Sequence, residues 1–571
     1  LATLSHAVET LLRGGRRLNR VRLALVALGV SLIVSAAVLT TPSLASAPRS
    51  PSKPSAEAAP AALQPRAYLP ICSVASHITP VGPNCRYGVS ALSQPQMDWL
   101  PDLGAGWYLN FAPNSYNGLS TVRFIPTLTV HQDKNGCQYL NTYSIYPALN
   151  DNQLGSVIAA HPGALWVVGN EPDRGPNPPD PADPQCTQGR QGDTYPDVYA
   201  QAYHDAYVFI KQRDPTAQIA NAGLVEITPG RLQYLDLVEQ AYRRYYDTAM
   251  PVDVWNMHLY ILPEANPLGQ PNAIAQVAVG TDASLAMRES GGDKNQCGQP
   301  GIYCFADHDN MTAFADQIVK MRTWMKAHGE QNKPFIITEY SQLYPYEIDP
   351  GGTCFVQDEN GQCFTQSRVT TFLNKSFSYL NTDSDPGIGL PMDHNRLVQQ
   401  WLWFSLNLRV GAGTVSNLLT DDLSALTQPG RAYRDVVAAQ IPSVNLFLDP
   451  LPATVAGSIW PVTGTGTARL VATVRNNGNT ATTVPFTVTF YADQARLWPI
   501  GSVQIPARLD GCTTSKVTVR VDWTGLTVGK HSYWVYADSG QSIAETDETD
   551  NITSGTAEIF AHRIVLPVLR K

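Results

Sequence analysis

Charge is scarce in this 571-residue chain. Only 15% of its residues are Asp, Glu, Lys or Arg, against about 25% in an average globular protein, which excludes a coiled coil or a solvated helical rod. Nor is there a basic excess: 40 Lys and Arg face 48 Asp and Glu. A protein that neutralises phosphates needs a basic surface, so no nucleic-acid partner is expected. The nine cysteines contain no C-x-x-C pair, which argues against a zinc ribbon or a thioredoxin-type redox site. H-E-x-x-H, G-x-S-x-G and Walker patterns are missing too. Asp307-His308-Asp309-Asn310 reads as a polar loop rather than a calcium site. Neither a metal nor a cofactor is expected. Hydrophobic residues make up 43%, enough for a sizeable core, so whole-chain disorder is excluded. At roughly 100–200 residues per domain, the length allows two to four domains.

What is present begins with a basic leader. Arg13, Arg16, Arg17, Arg20 and Arg22 face the single acid Glu9, and the apolar run Leu23 to Leu39 follows, then Ala45-Ser46-Ala47. This order reads as an export signal (residues 1–47) removed after Ala47. The alternative is a retained anchor, since the run sits at the short edge of a membrane span of about 17–25 residues. Residues 48–67 form a Pro/Ala/Ser-rich linker. A secreted or cell-surface chain permits disulfides. Sequential pairing suggests Cys72–Cys85, Cys137–Cys186, Cys297–Cys304 and Cys354–Cys363, with Cys512 left over.

From residue 68 to residue 442 short apolar runs alternate with amphipathic stretches. Strands are expected at 87–90, 106–111, 122–128, 165–170, 218–223, 252–258, 334–338 and 401–406, several as continuous apolar runs suited to a sheet buried on both faces. Helices are expected at 150–160, 195–212, 230–246, 312–328, 367–380 and 430–440. Eight strand–helix units imply an α/β fold, a (β/α)8 TIM barrel with enlarged loops. An open doubly wound sheet is the alternative, but no G-x-G-x-x-G follows the first strand. From 443 to 562 the apolar period becomes two, as in Phe486, Val488 and Phe490, and Asn477-Gly478 marks a turn. This predicts an antiparallel β-sandwich of immunoglobulin-like type, followed by a tail at 563–571.

In such a barrel, chemistry sits at the C-terminal ends of the strands. Glu171 follows the fourth strand and Glu339 the seventh. Two carboxyl groups facing each other there can flank a glycosidic bond, one protonating the leaving oxygen and the other meeting the oxocarbenium-like carbon. A lone glutamate at a strand end is an ordinary solvated or salt-bridged residue; the pair in this order is what points to catalysis.

Asn170-Glu171-Pro172 and Thr338-Glu339-Tyr340 resemble the signatures of clan A retaining glycoside hydrolases. Within the clan, residues 85–440 most resemble the alkali-sensitive-linkage-protein-like glycosyl hydrolases, a family that includes endo-β-1,3-glucanases. The resemblance also rests on Gly106-Trp107-Tyr108, Phe124-Ile125-Pro126, Asp253, His258-Leu259-Tyr260 and Trp403-Phe404-Ser405. It departs from the family at Tyr340, where Phe is usual, and at Phe111, where a second Trp is common. It implies Glu171 as general acid/base and Glu339 as nucleophile. Asn170 would bond the sugar 2-hydroxyl, Tyr260 would hold Glu339 ionised, and His258 would position the site. Trp403 would stack on a pyranose face and Trp107 would form a second wall. His258 can equally be a satisfied barrel histidine, and each Trp a core residue.

Val474-Arg475-Asn476-Asn477-Gly478 and the acidic stretch Ile543 to Asn551 resemble a CARDB domain, an adhesion-related immunoglobulin-like module. That resemblance implies a spacer or a link to the cell surface. The combined expectation is a secreted, monomeric retaining glycosidase whose partner is a polysaccharide, with β-1,3-glucan first among substrates. The rivals are a clan A glycosidase for another β-glycan and a non-catalytic glycan-binding surface protein.

Overall fold

The computed structural model describes residues 82–118, 120–175, 192–269, 275–344, 357–409, 413–452 and 464–561, with 454–459 and 561 described for the backbone. The signal, linker and tail expectations lie outside these residues.

Eight parallel strands carry the first unit: β1 (Asn84–Ser90), β2 (Ala105–Leu109), β3 (Arg123–Phe124, resuming at Thr127–Asn135), β4 (Leu165–Asn170), β5 (Gln218–Gly223), β6 (Trp255–His258), β7 (Phe335–Tyr340) and β8 (Gln400–Trp403). They pair in parallel within two sheets, β3–β2–β1–β8–β7–β6 and β3–β4–β5, with the two segments of β3 lying one in each. Two joints are irregular. Pro126 has no N–H to give and interrupts β3, yet its carbonyl still accepts from Val167 at 3.0 Å. Between β5 and β6 a single bridge, Ala220–Val254, is supplemented by Asn221, whose amide side chain accepts from Asn256 N and donates to Asn256 O, both at 2.8 Å.

Helices separate the strands: α1 (Leu100–Leu103), α2 (Ser156–Ala160), α3 (Pro196–Arg213), α4 (Pro229–Tyr246), α5 (Met311–Ala327), α6 (Gln366–Thr382) and α7 (Gln428–Ala438). Their starts follow capping chemistry. Thr228, Asn310, Thr365 and Thr427 each accept a backbone N–H of the first turn, satisfying donors that the helix itself cannot. A hairpin formed by the end of β3 and Gln138–Tyr146 was not anticipated from the sequence. Among the described residues no helix is long and apolar enough to cross a membrane.

Successive side chains of a strand point to opposite faces, and this divides the core in two. Trp166, Val168, Met257, Ile337, Trp401 and Trp403 pack outward against the helices. Trp107, Leu165, Val167, Ala220, Ile336 and Leu402 fill the space enclosed by the strands. Trp107 fits only because Gly88 has no side chain; a Cβ there would lie 2.3 Å from its ring.

The second unit has two sheets. One is β9 (Leu446–Leu448), β11 (Gly466–Asn476) and β14 (Lys516–Leu526), with β11 central; the other runs β10 (Thr454–Ile459), β16 (Ile552–Ala561), β15 (Gly529–Tyr536), β12 (Phe486–Tyr491) and β13 (Pro499–Ile505). All pairs are antiparallel except β10 with β16, which is parallel and corrects the all-antiparallel expectation.

This unit docks on the N-terminal ends of the parallel strands. Cys85 N donates to Asn479 O at 2.9 Å, Arg123 reaches Thr514 Oγ1 at 3.1 Å, Gln218 donates to Thr514 O, and Lys516 pairs with Asp253 at 3.4 Å. A disulfide joins Cys85 to Cys512. It overturns the expected Cys72–Cys85 pair and the unpaired Cys512: folding carries β1 to a sandwich loop 427 residues away, which spacing along the chain does not reveal. Cys297–Cys304 is formed as expected. Cys137 and Cys363 are also disulfide-bonded, and the cysteines paired with them in the sequence reading, Cys186 and Cys354, lie outside the described residues.

Candidate active site

The opposite, C-terminal ends of the strands bring Glu171, Glu339, His258 and Tyr260 together. Each is nearly fully buried. Glu171 follows β4 in the left-handed region, φ 43°, a conformation costing about 1–3 kcal/mol outside glycine. Its neighbours hold it there: Glu171 N donates to Gly223 O at 2.9 Å, and Gly192 N donates to Asn170 O at 3.0 Å. Gly192 must be glycine, because a Cβ would lie 2.6 Å from Pro172 Cα.

Glu339 is aimed by a register slip. Along β7, Ile337 faces the helices and Ile336 the enclosed space, so strict alternation would turn Glu339 outward. The pairing with β6 shifts between Ile337 and Glu339, and that with β8 between Ile337 and Tyr340. Such irregularities re-aim side chains, and here Tyr340 packs outward while Glu339 meets Tyr260. Tyr260 Oη donates to Glu339 Oε1 at 2.6 Å. Glu339 Oε2 is buried and makes no hydrogen bond.

His258 lies between the two acids. Its Nδ1 is 3.0 Å from Glu171 Oε1 and 3.8 Å from Glu339 Oε2. Gly223 makes room, since a Cβ there would sit 2.2 Å from the imidazole. One ligand-type atom from each of Glu171, His258 and Glu339 lies within 4.8 Å of the others. These three side chains can in principle hold a metal ion, although Glu171 Oε1 and Glu339 Oε1 are already engaged by His258 and Tyr260. A second such group among the described residues, Cys297, Cys304 and Glu359, has its sulfurs tied in a disulfide.

The electrostatics of the trio are uneven. Burial raises the Glu339 pKa and repulsion from Glu171 adds to it, so that it reaches about 7 despite His258 and Tyr260. Burial also opposes ionisation of Glu171, but the His258 hydrogen bond and charge, with Arg174 and Arg231, outweigh it and hold its pKa below the usual value. For His258, burial disfavours the charged form, yet Glu339 and Glu171 together raise its pKa. The three groups thus hold one another's charge, and Glu339 gains a proton below about pH 7.

Asn170 ends β4 beside Glu171 and pairs with Gly223. The two tryptophans are elsewhere. Trp403 is fully buried on the helix side, its Nε1 donating to Ser416 O at 2.9 Å and its ring 5.4 Å from that of Tyr340. Trp107 is fully buried among the strands over Gly88. Neither presents a ring face to a sugar, which corrects the platform and wall expectations. The period-two alternation explains Trp403: the next residue, Phe404, belongs to the enclosed cluster with Phe111, rings 5.9 Å apart. Asp253 lies at the far end with Lys211 and Lys516.

Sequence reasoning missed Arg174, whose Nη1 is 3.8 Å from Glu171 Oε2 and which stands only three residues from it. It also missed Arg231 on α4, fully buried, which bonds Asp173 and, at 2.8 Å, Glu264. No local signal announced that contact across 58 residues.

Comparison with known proteins bears mainly on the C-terminal unit. Residues 455–555 match the CARDB family model. No curated protein matches the chain. Among solved structures, the chain is similar to a GH128 (subgroup I) endo-β-1,3-glucanase from Amycolatopsis mediterranei in complex with laminaritriose, at 17% identity over 62% of this chain and 99% of that one, TM-score 0.35. It is also similar to a GH128 (subgroup III) curdlan-specific exo-β-1,3-glucanase from Blastomyces gilchristii, at 13% identity over 61% and 97%, TM-score 0.34. A CARDB domain from Pyrococcus furiosus in complex with di-metal ions aligns at 13% identity over 22% and 100%, TM-score 0.18.

Proposed function

We propose that the protein is an exported retaining glycoside hydrolase acting on a β-glucan, with β-1,3-linked chains as the preferred substrate, and that its eight parallel strands form a (β/α)8 barrel. The observation that carries the reading is the carboxylate pair. Oxygens of Glu171 and Glu339 lie within 4.8 Å, in keeping with the roughly 5–5.5 Å of retaining rather than 6.5–9.5 Å of inverting enzymes.

Roles follow from the partners. Glu339 Oε1 is fixed by Tyr260, which leaves Oε2 as the nucleophile. Oε2 forms a bond to the anomeric carbon as the bond from that carbon to the leaving oxygen breaks. The leaving oxygen takes its proton from Glu171. Water then attacks the anomeric carbon, gives its proton to Glu171 and frees the Glu339 carboxylate. His258, whose Nδ1 lies 3.0 Å from Glu171 Oε1, is placed to hand a proton to that carboxylate as the leaving oxygen takes one. The preference for β-1,3-glucan is supported by the sequence resemblance across residues 85–440. The CARDB domain, tied to the opposite end by Cys85–Cys512, serves as a spacer or cell-surface link.

The purified chain should release reducing sugar from a β-1,3-glucan when tested on a panel of β-glucans, mannan and xylan. Glu339→Ala should abolish hydrolysis and keep binding. A wild-type chain inert on the whole panel would favour the glycan-binding reading instead.

A further inference from the structure

His308, in the polar stretch Asp307-His308-Asp309-Asn310, lies in the 3-10 turn Phe305–Asp309 between β6 and α5. It is 1% exposed. Its Nδ1 donates to Ile261 O at 3.1 Å, and its Nε2 accepts from Leu343 N at 2.8 Å. Those backbone groups belong to the segments that follow Tyr260 and Glu339. A carbonyl only accepts and an N–H only donates, so the neutral Nδ1–H tautomer alone satisfies both. The same turn is tied again by Gln342, whose side chain donates to His308 O at 2.8 Å. Gln342 is itself held by Ser416, which accepts from its N–H at 3.0 Å and donates to its carbonyl at 2.7 Å.

We infer that His308 is a positioning residue: as the neutral Nδ1–H tautomer it clamps the Tyr260 segment to the Glu339 segment, and so holds the Tyr260–Glu339 hydrogen bond that helps ionise Glu339. The kinetic consequence rests on the glycosidase reading; the effect on Glu339 ionisation does not.

The surroundings keep the clamp uncharged. Tyr344 and Phe364 rings flank the imidazole at 4.5 and 6.0 Å. The charged groups facing this region are Asp307 and Asp309 on its own turn, Arg368 on α6, which pairs with Asp309 and Asp358, and Glu359, which accepts from Phe305 N and Ala306 N. Burial lowers the His308 pKa to about 4; the bond to Ile261 and the charge of Asp309 oppose that, and Arg368 reinforces it. The clamp is therefore intact throughout the range in which Glu339 titrates. A protonated Nε2 would face the Leu343 N–H donor to donor.

Two variants of similar size separate clamping from filling. His308→Gln keeps an acceptor for Leu343 N–H; His308→Asn loses it. The readout is an infrared titration of the protonated carboxyl of Glu339, isolated as the difference between each protein and the same protein carrying Glu339→Gln, and it needs no substrate. His308→Asn should raise the Glu339 midpoint by about half a unit or more, because a loosened Tyr260 bond no longer favours the charged form. Its kcat on β-glucan should fall about tenfold with KM little changed, as misplacement of a reacting group costs rate. His308→Gln should recover most of both. Equal midpoints in wild type, His308→Gln and a folded His308→Asn would overturn the inference. A wild type without glycosidase activity would overturn the proposed function and leave the infrared comparison decisive for the clamp.

Discussion

Tyr260 donates a 2.6 Å hydrogen bond to Oε1 of Glu339, while Oε2 of the same buried carboxylate has no hydrogen-bond partner. One oxygen is fixed and the other is not. Glu171 stands on the far side of His258, and its carboxylate is engaged by that histidine.

Removing the phenol hydroxyl should leave Glu339 harder to ionise. A hydrogen bond to a charged group is worth about 1.5–3 kcal/mol, and about 1.4 kcal/mol corresponds to one pKa unit. Tyr260→Phe should therefore move the acid limb of kcat/KM upward by about one to two units, read from a pH–rate series with the fold verified by circular dichroism.

The wild-type profile should be bell-shaped. The nucleophile must be charged, so activity should rise with pH through the Glu339 value of about 7. The acid proton must still be present on the His258–Glu171 pair, so activity should fall again as that pair loses it, at a pH above the ordinary histidine value because the His258 pKa is raised. Initial rates from pH 5 to 10 on a soluble β-glucan check both limbs.

Glu171→Gln keeps the shape of the side chain and removes the acid. Its kcat should drop by about 10²–10⁴, the usual contribution of general acid–base catalysis, while binding of an oligosaccharide measured by calorimetry should persist.

Breaking the Cys85–Cys512 link should act on stability alone. The bond lies at the N-terminal ends of the strands, away from the site, and a native disulfide contributes about 2–4 kcal/mol. Cys85→Ser should lower the thermal midpoint in calorimetry with kcat unchanged.

Much of this is legible in the amino-acid sequence. Alternating apolar and amphipathic stretches located the eight strands, because strands buried on both faces are rich in apolar residues, as Phe335-Ile336-Ile337 at the start of β7 shows. Glu171 and Glu339 were legible from their places at strand ends, with Asn170, His258 and Tyr260 beside them. The misplaced residues share a cause. Trp403 and Phe404 differ by one position, and only strand register decides which of them faces inward. Glu339 itself depends on a register slip that composition does not encode. The Cys85–Cys512 bond and the Arg231–Asp173 contact are long-range consequences of the tertiary fold, and nothing local announces them. The CARDB-like unit was legible in Asn476-Asn477-Gly478, and the reason is now visible: Asn476 Oδ1 accepts from Gly478 N at 2.9 Å and its amide donates to Thr480 O at 2.8 Å, so the turn is built from those side chains.

The stereochemistry of hydrolysis tests the central claim most directly. A β-1,3-linked gluco-oligosaccharide would be mixed with the purified protein, and the anomeric protons of the newly formed reducing end followed by NMR before mutarotation. The account predicts that the β-anomer appears first, with the α-anomer growing in later. The α-anomer first, or no hydrolysis of any β-glucan, would contradict the account.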